Sequence, residues 1–144
     1  MLAQELFRQT QLFTGLSQPE LEQLAAIAVA RYFPAGEIFI HQNTVGSEFY
    51  IIAEGSVEVF IQGLQEQTLV VLGRGQVIGE MALLDQGYRS ASVRATAGGC
   101  ATYCLERHDF NALCQSSQSI GYTVMRNLAV DLAFKLRHRN LTAM

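Results

Sequence analysis

An excess of cations, paired cysteines, clustered histidines and long apolar runs are all missing from this chain of 144 residues. Lys and Arg number 10 against 13 Asp and Glu, a formal net charge of −3. That balance speaks against nucleic acid as the main partner, because affinity there rests on neutralising phosphates with Lys and Arg. The cysteines are three, at positions 100, 104 and 114, an odd set without disulfide spacing or a C-x-x-C pair. A disulfide scaffold and a zinc motif are therefore excluded, and a reducing compartment is favoured. His41, His108 and His138 stand apart without ligand spacing, so no metal site is expected. No apolar run approaches the ~18 residues of a membrane helix. The N-terminal MLAQELFRQTQLF lacks the basic region and apolar core of a signal peptide, so a cytoplasmic protein is expected. There is no nucleophile elbow, Ser-His-Asp arrangement or paired-carboxylate motif. Neither an enzyme nor a cofactor is expected.

What remains is a chain that is 49% hydrophobic and 16% charged, a soluble globular composition, with the length of one domain spanning 1–144. Its hydrophobic period changes twice. Residues 1–30 read as helical, with Leu2, Leu6 and Phe7 on one short piece and Leu21, Leu24, Ala25 and Ala28 on another. Ser17-Gln-Pro-Glu20 between them is a helix start, with Ser17 to cap, Pro19 in the first turn and Glu20 to complete a capping box. Residues 31–105 read as short strands punctuated by glycine: Ile38–Ile40, Phe49–Ile52, Val57–Ile61, Leu69–Leu72, Ala91–Ala95 and Cys100–Leu105. Residues 107–144 return to helical period, with a short helix from Arg107 and a long one from about Ser119 to Asn140. Met125, Leu128, Leu132 and Leu136 make its apolar stripe.

The densest chemistry lies at 77–95, VIGEMALLDQGYRSASVRA. Gly79 lets a ligand approach the backbone closely. Glu80 to Leu84 predict one helical turn whose free N–H groups, at Met81 and Ala82, point at an anion. Arg89 presents a planar fork to two phosphate oxygens, and Ser90 adds a hydroxyl and an N–H. The Glu80 carboxylate accepts hydrogen bonds, so its natural partner is a sugar hydroxyl. The plainer alternative, a buried Glu80–Arg89 ion pair, would contribute little stability after desolvation. It would also leave the room beside Gly79, Ala82, Ser90 and Ala91 unfilled.

This run resembles the phosphate-binding cassette of cyclic-nucleotide-binding domains, as in catabolite activator protein and the regulatory subunits of protein kinase A. Four further segments are similar to landmarks of that family: Phe33-Pro-Ala-Gly-Glu37, Gly46-Ser-Glu-Phe-Tyr-Ile-Ile52, Glu54-Gly-Ser-Val-Glu-Val59 and Gly75-Gln-Val-Ile-Gly-Glu-Met-Ala-Leu-Leu84. The resemblance implies an α+β, mainly β fold: a jelly-roll-like β-roll flanked by N-terminal helices and a long C-terminal helix. It implies a cyclic mononucleotide ligand, cyclic AMP rather than cyclic GMP, with Arg89 on the phosphate and Glu80 on the ribose 2′-OH. It places Val59, Leu69, Val70 and Ile78 around sugar and base. A base contact from the long helix would fall to Arg139 and Asn140. The state of the site would pass through that helix to an effector or a second copy. No helix-turn-helix follows it in these residues, so direct DNA binding is not expected. Two rivals stay open: a ligand-independent interaction module, and the sensor half of a transcription regulator.

Overall fold

The computed structural model describes residues 2–85 and 87–143, with side chains up to His138. The chain runs α1 (Ala3–Arg8), a 3-10 turn (Gln11–Phe13), α2 (Gln18–Ala26), β1 (Val29–Phe33), β2 (Ile38–Ile40), β3 (Glu48–Ile61), β4 (Gln67–Gly73), β5 (Val77–Ile78), a second 3-10 turn (Glu80–Leu83), β6 (Ser92–Glu106), α3 (Arg107–Ser116) and α4 (Gln118–Ala143). The capping box forms: the Glu20 N–H donates to Ser17 Oγ at 3.3 Å, and the Ser17 N–H donates to Glu20 Oε1 at 2.8 Å. That backbone bond, with help from the Ser119 hydroxyl, holds the Glu20 carboxyl below the usual carboxylate range.

All strand pairing is antiparallel, in the order β1-β6-β3-β4, with β2 added to β6 and β5 to β3. The roll rests on two long strands of 14 and 15 residues, β3 and β6, where the sequence pattern predicts four short ones. Gly55 and Gly99 read as turn residues but sit inside strands, at φ of 81° and 77°. A Cβ on Gly55 would stand 2.2 Å from the Gly99 carbonyl oxygen. These glycines bend a continuous ladder where register shifts, as β-bulges do, and do not end it. The helical zone is also shorter than expected. Val29 and Ala30 already belong to β1, an edge strand whose mostly exposed residues show no alternation to reveal it.

Period-two alternation divides β3 between two cores. Phe49 and Ile51 face the helices and pack with Leu6, Phe13, Leu24, Phe110 and Val124. Tyr50 and Ile52 face into the roll, with Phe33, Ile40, Val57, Cys100 and Cys104. Each such fully buried apolar side chain contributes about 1.5–3 kcal/mol. Burial pushes the Cys100 thiol up to about 11, so it serves as a small apolar filler. Helix α4 buries Ile120, Val124 and Leu128 and leaves Leu136 at 59% exposure. The expected stripe of Met125, Leu128, Leu132 and Leu136 is thus corrected at its last member. Asn127 Nδ2 ties this helix to the first 3-10 turn, donating to the Leu12 and Thr14 carbonyls at 2.9 Å each. None of the described helices is long and apolar enough to cross a membrane.

Candidate functional site

A cavity of about 720 Å³ opens between β3–β5, the 77–95 segment and α4. Arg89 reaches it from a pinned backbone. Its N–H donates to the Thr44 carbonyl at 2.7 Å, and its own carbonyl accepts from the Asn43 N–H at 2.8 Å. Asn43 holds a left-handed φ of 68°, which asparagine tolerates better than most residues.

The Arg89 side chain is 9% exposed and makes a long ion pair, 3.8 Å, with the Glu48 carboxylate. Its hydrogen bonds are to neutral groups, the Glu48 carbonyl at 2.7 Å and the Gly79 carbonyl at 3.3 Å. A guanidinium has five N–H donors in a planar fork. Two are taken by these carbonyls, on a group that also lines the cavity. Little room is left around it. A Cβ on Gly46 would lie 2.3 Å from Arg89 Nε, and one on Gly79 would lie 2.6 Å from Nη1. Gly79 is also the left-handed residue, φ 80°, that starts the 3-10 turn. Two glycines therefore make space for one cation.

The buried Glu80–Arg89 pair does not form; among the described residues, the carboxylate beside Arg89 belongs to Glu48. Glu80 is half-buried and lines the cavity independently, and Ser90 stands exposed at its edge. The free N–H groups expected at Met81 and Ala82 need correction for Ala82, whose N–H donates to the Gly79 carbonyl at 3.0 Å. A 3-10 turn closes on i→i+3 bonds, so its own ladder begins one residue earlier than an α-turn would. Met81 and Ala82 both line the cavity.

Val59, Val70 and Ile78 supply the apolar wall, joined by Leu72. Leu69 does not line it and is 50% exposed. Val70 and Leu72 alternate onto the wall, so Leu69 points to the other face; with Val59 paired to Val70 and Phe60 to Thr68, it is also the unpaired residue of a bulge. Arg139 and Asn140 lie outside the described side chains. Helix α4 meets the cavity through Asn127, Leu128, Asp131 and Lys135, the last two joined by an ion pair of 2.9 Å. Sequence reasoning missed these, although 124, 128, 131 and 135 fall on one helical face. Among the described residues, no group of three or more His, Cys, Asp or Glu is placed to hold a metal.

The model of the cyclic nucleotide-binding domain matches residues 30–117, more than half of the chain. The chain belongs to the cyclic nucleotide-binding domain family. It is 36% identical over 132 residues to the cyclic AMP receptor protein of Thermus thermophilus, covering 90% of this chain and 59% of that protein. The crystal structure of the Thermus thermophilus catabolite activator protein superposes with a TM-score of 0.82 at 36% identity, over 93% of this chain and 62% of that one. The regulatory domain of Toxoplasma gondii protein kinase A, crystallised with cyclic AMP, gives a TM-score of 0.71 at 27% identity, over 77% and 42% of the two chains. This chain thus spans about three-fifths of the length of the Thermus protein.

Within this cyclic nucleotide-binding domain, Gly46 provides a discriminating test. The clash falls on a side chain and not on backbone, so Gly46→Ala is expected to fold, with a melting temperature within roughly 4 °C of the native chain. The displaced guanidinium is expected to weaken cyclic-nucleotide binding by about tenfold or more in calorimetric titration. Native affinity would show that Arg89 need not occupy its observed place.

Proposed function

We propose that this chain is a regulatory module that captures one cyclic mononucleotide, cyclic AMP in preference to cyclic GMP, in the cavity above the cassette. A single observation carries the reading: a nearly buried arginine, seated on backbone carbonyls and cleared by two glycines, that lines a 720 Å³ cavity. Cavities of this size suit a small ligand that is mostly buried. Arg89 takes the phosphate, with Ser90 and the 3-10 turn beside it; Glu80 takes the ribose 2′-OH. Val59, Val70, Leu72 and Ile78 receive sugar and purine. Asn127, Asp131 and Lys135 are the polar groups α4 offers to the base. The preference for cyclic AMP is supported by the names of the Thermus and Toxoplasma relatives.

On this reading the module is one domain without catalysis of its own, and it works in the cytoplasm. Ligand contact with α4 shifts the equilibrium position of that helix, which passes the state on. The partner we propose is a second copy of the chain, met through the outer face of α4, where Tyr122, Val130 and Phe134 are exposed.

The test is a thermal-melt panel on nucleotide-free protein with cyclic AMP, cyclic GMP, a cyclic dinucleotide and linear AMP. Ligand at about 100 times its Kd stabilises the fold by about 2.7 kcal/mol, which raises the melting temperature by roughly 5–10 °C. The reading expects that shift with cyclic AMP and none with linear AMP. No shift with any of the four would overturn it in favour of a ligand-independent interaction module.

A further inference from the structure

The cassette is gripped at both ends by arginines, and the second is Arg107, the first residue of α3. Arg89 holds the Gly79 carbonyl where the 3-10 turn begins. Arg107 Nη1 donates to the carbonyls of Ala82 and Asp85, at 3.4 and 3.3 Å, where the turn ends. The backbone of Arg107 is anchored in the same neighbourhood. Its N–H donates to the Ser47 carbonyl at 2.9 Å, and the Ser47 hydroxyl donates to Glu106 Oε2 at 2.8 Å. Ser47 lies between Gly46, which clears the Arg89 guanidinium, and Glu48, whose carbonyl holds it. One loop therefore grounds both arginines.

Helix stability does not account for this arrangement. A cation on the first residue of a helix opposes the helix dipole, whose positive end lies there. Glu106, at the N-cap position of α3, makes no side-chain capping bond. Both charged side chains of the β6–α3 junction are turned instead toward the loop and the cassette. The carbonyls of Ala82 and Asp85 are left free by the turn at its end, and the Arg107 guanidinium meets them there. Each bond from Arg107 is long and weak on its own. Together they hold two carbonyls, and planar peptides pass that constraint along the turn.

We propose that Arg107 is a positioning residue of the anion site: it fixes the cassette turn against which the phosphate binds without touching the ligand. The proposal rests on the cyclic-nucleotide reading above. Coupling is reciprocal, so a ligand that orders the turn also tightens its hold on the start of α3, the element leading into α4.

The experiment compares the native chain with Arg107→Ala and Arg107→Lys. It measures affinity for cyclic AMP and for its two phosphorothioate diastereomers, in which sulfur replaces one or the other exocyclic oxygen. The ratio of those two affinities reports how accurately the phosphate is placed. Arg107→Ala is expected to weaken cyclic AMP binding by roughly tenfold, the loss of charge-assisted bonds, and to bring the diastereomer ratio toward one. Lysine, which keeps a cation within reach of both carbonyls, is expected to recover most of each. Native affinity in Arg107→Ala overturns the proposal, as does weaker binding with an unchanged ratio, the mark of a merely structural role. If the alanine variant does not fold, Arg107→Gln takes its place with the same criteria. A native chain that binds no cyclic nucleotide overturns the underlying reading, an outcome separate from these.

Discussion

Arg89→Ala is expected to lose cyclic AMP binding by about 2–5 kcal/mol, as when one member of a buried charge pair is removed and the ligand phosphate is left without its partner. In dissociation constants this is a rise of roughly 30-fold to 5,000-fold. The fold is expected to survive. The guanidinium bonds two carbonyls, of Glu48 and Gly79, and losing such bonds costs about 1 kcal/mol each where water can enter the space left behind. Arg89→Lys is expected to fall between, because an ammonium is a point charge and cannot span two carbonyls and a phosphate in one plane. Calorimetric titration of nucleotide-free protein reads both. Unchanged affinity in the alanine variant would remove Arg89 from the site.

The second large effect is on stability. Phe110 is fully buried at the start of α3 and meets Phe49 of β3 edge-on, ring centroids 5.8 Å apart. It joins the helices to the face of β3 opposite the roll interior. Phe110→Ala is expected to cost about 3–5 kcal/mol from lost transfer energy and the cavity left behind. For a chain of this length the melting temperature falls by roughly 10–20 °C. Phe110→Leu is expected to lose less than half of that, since most of the volume is kept. Denaturant titration checks the series; a loss below about 1 kcal/mol in the alanine variant would mean that the core closes around the gap.

The parts of this molecule that were legible in its sequence are those decided by near neighbours. The Ser17–Glu20 box, the single helical turn after Gly79 and the extended Phe49–Ile52 run depend on residues close in the chain, and they form where they are expected. What escaped depends on distant partners. Gly55 and Gly99 have the chemistry of turns, and only the meeting of β3 with β6 makes them bulges. Leu69 was placed on the cavity wall by the family resemblance, whereas Val70 and Leu72 alternate onto that wall and leave Leu69, unpaired at a bulge against β3, on the other face. The holder of Arg89 is Glu48, 41 residues away, and its carbonyl does more than its carboxylate. A carbonyl has no residue-type signature, so no motif could reveal it. On α4 the rotation of the helix against the roll, fixed by Ile120, Val124 and Leu128, brings Asp131 and Lys135 to the cavity. The apolar stripe leaves that rotation open by about one residue, enough to hide them.

The seating of the nucleotide is read from a crystal structure of the chain grown with cyclic AMP. One nucleotide per chain is expected, with its phosphate on the Arg89 guanidinium beside the Glu80–Leu83 turn and its ribose 2′-OH on Glu80. The purine is predicted between the Val59–Val70 wall and α4. A nucleotide found elsewhere, or a cavity left empty at saturating ligand with Arg89 still held by the Glu48 and Gly79 carbonyls, would contradict that seating.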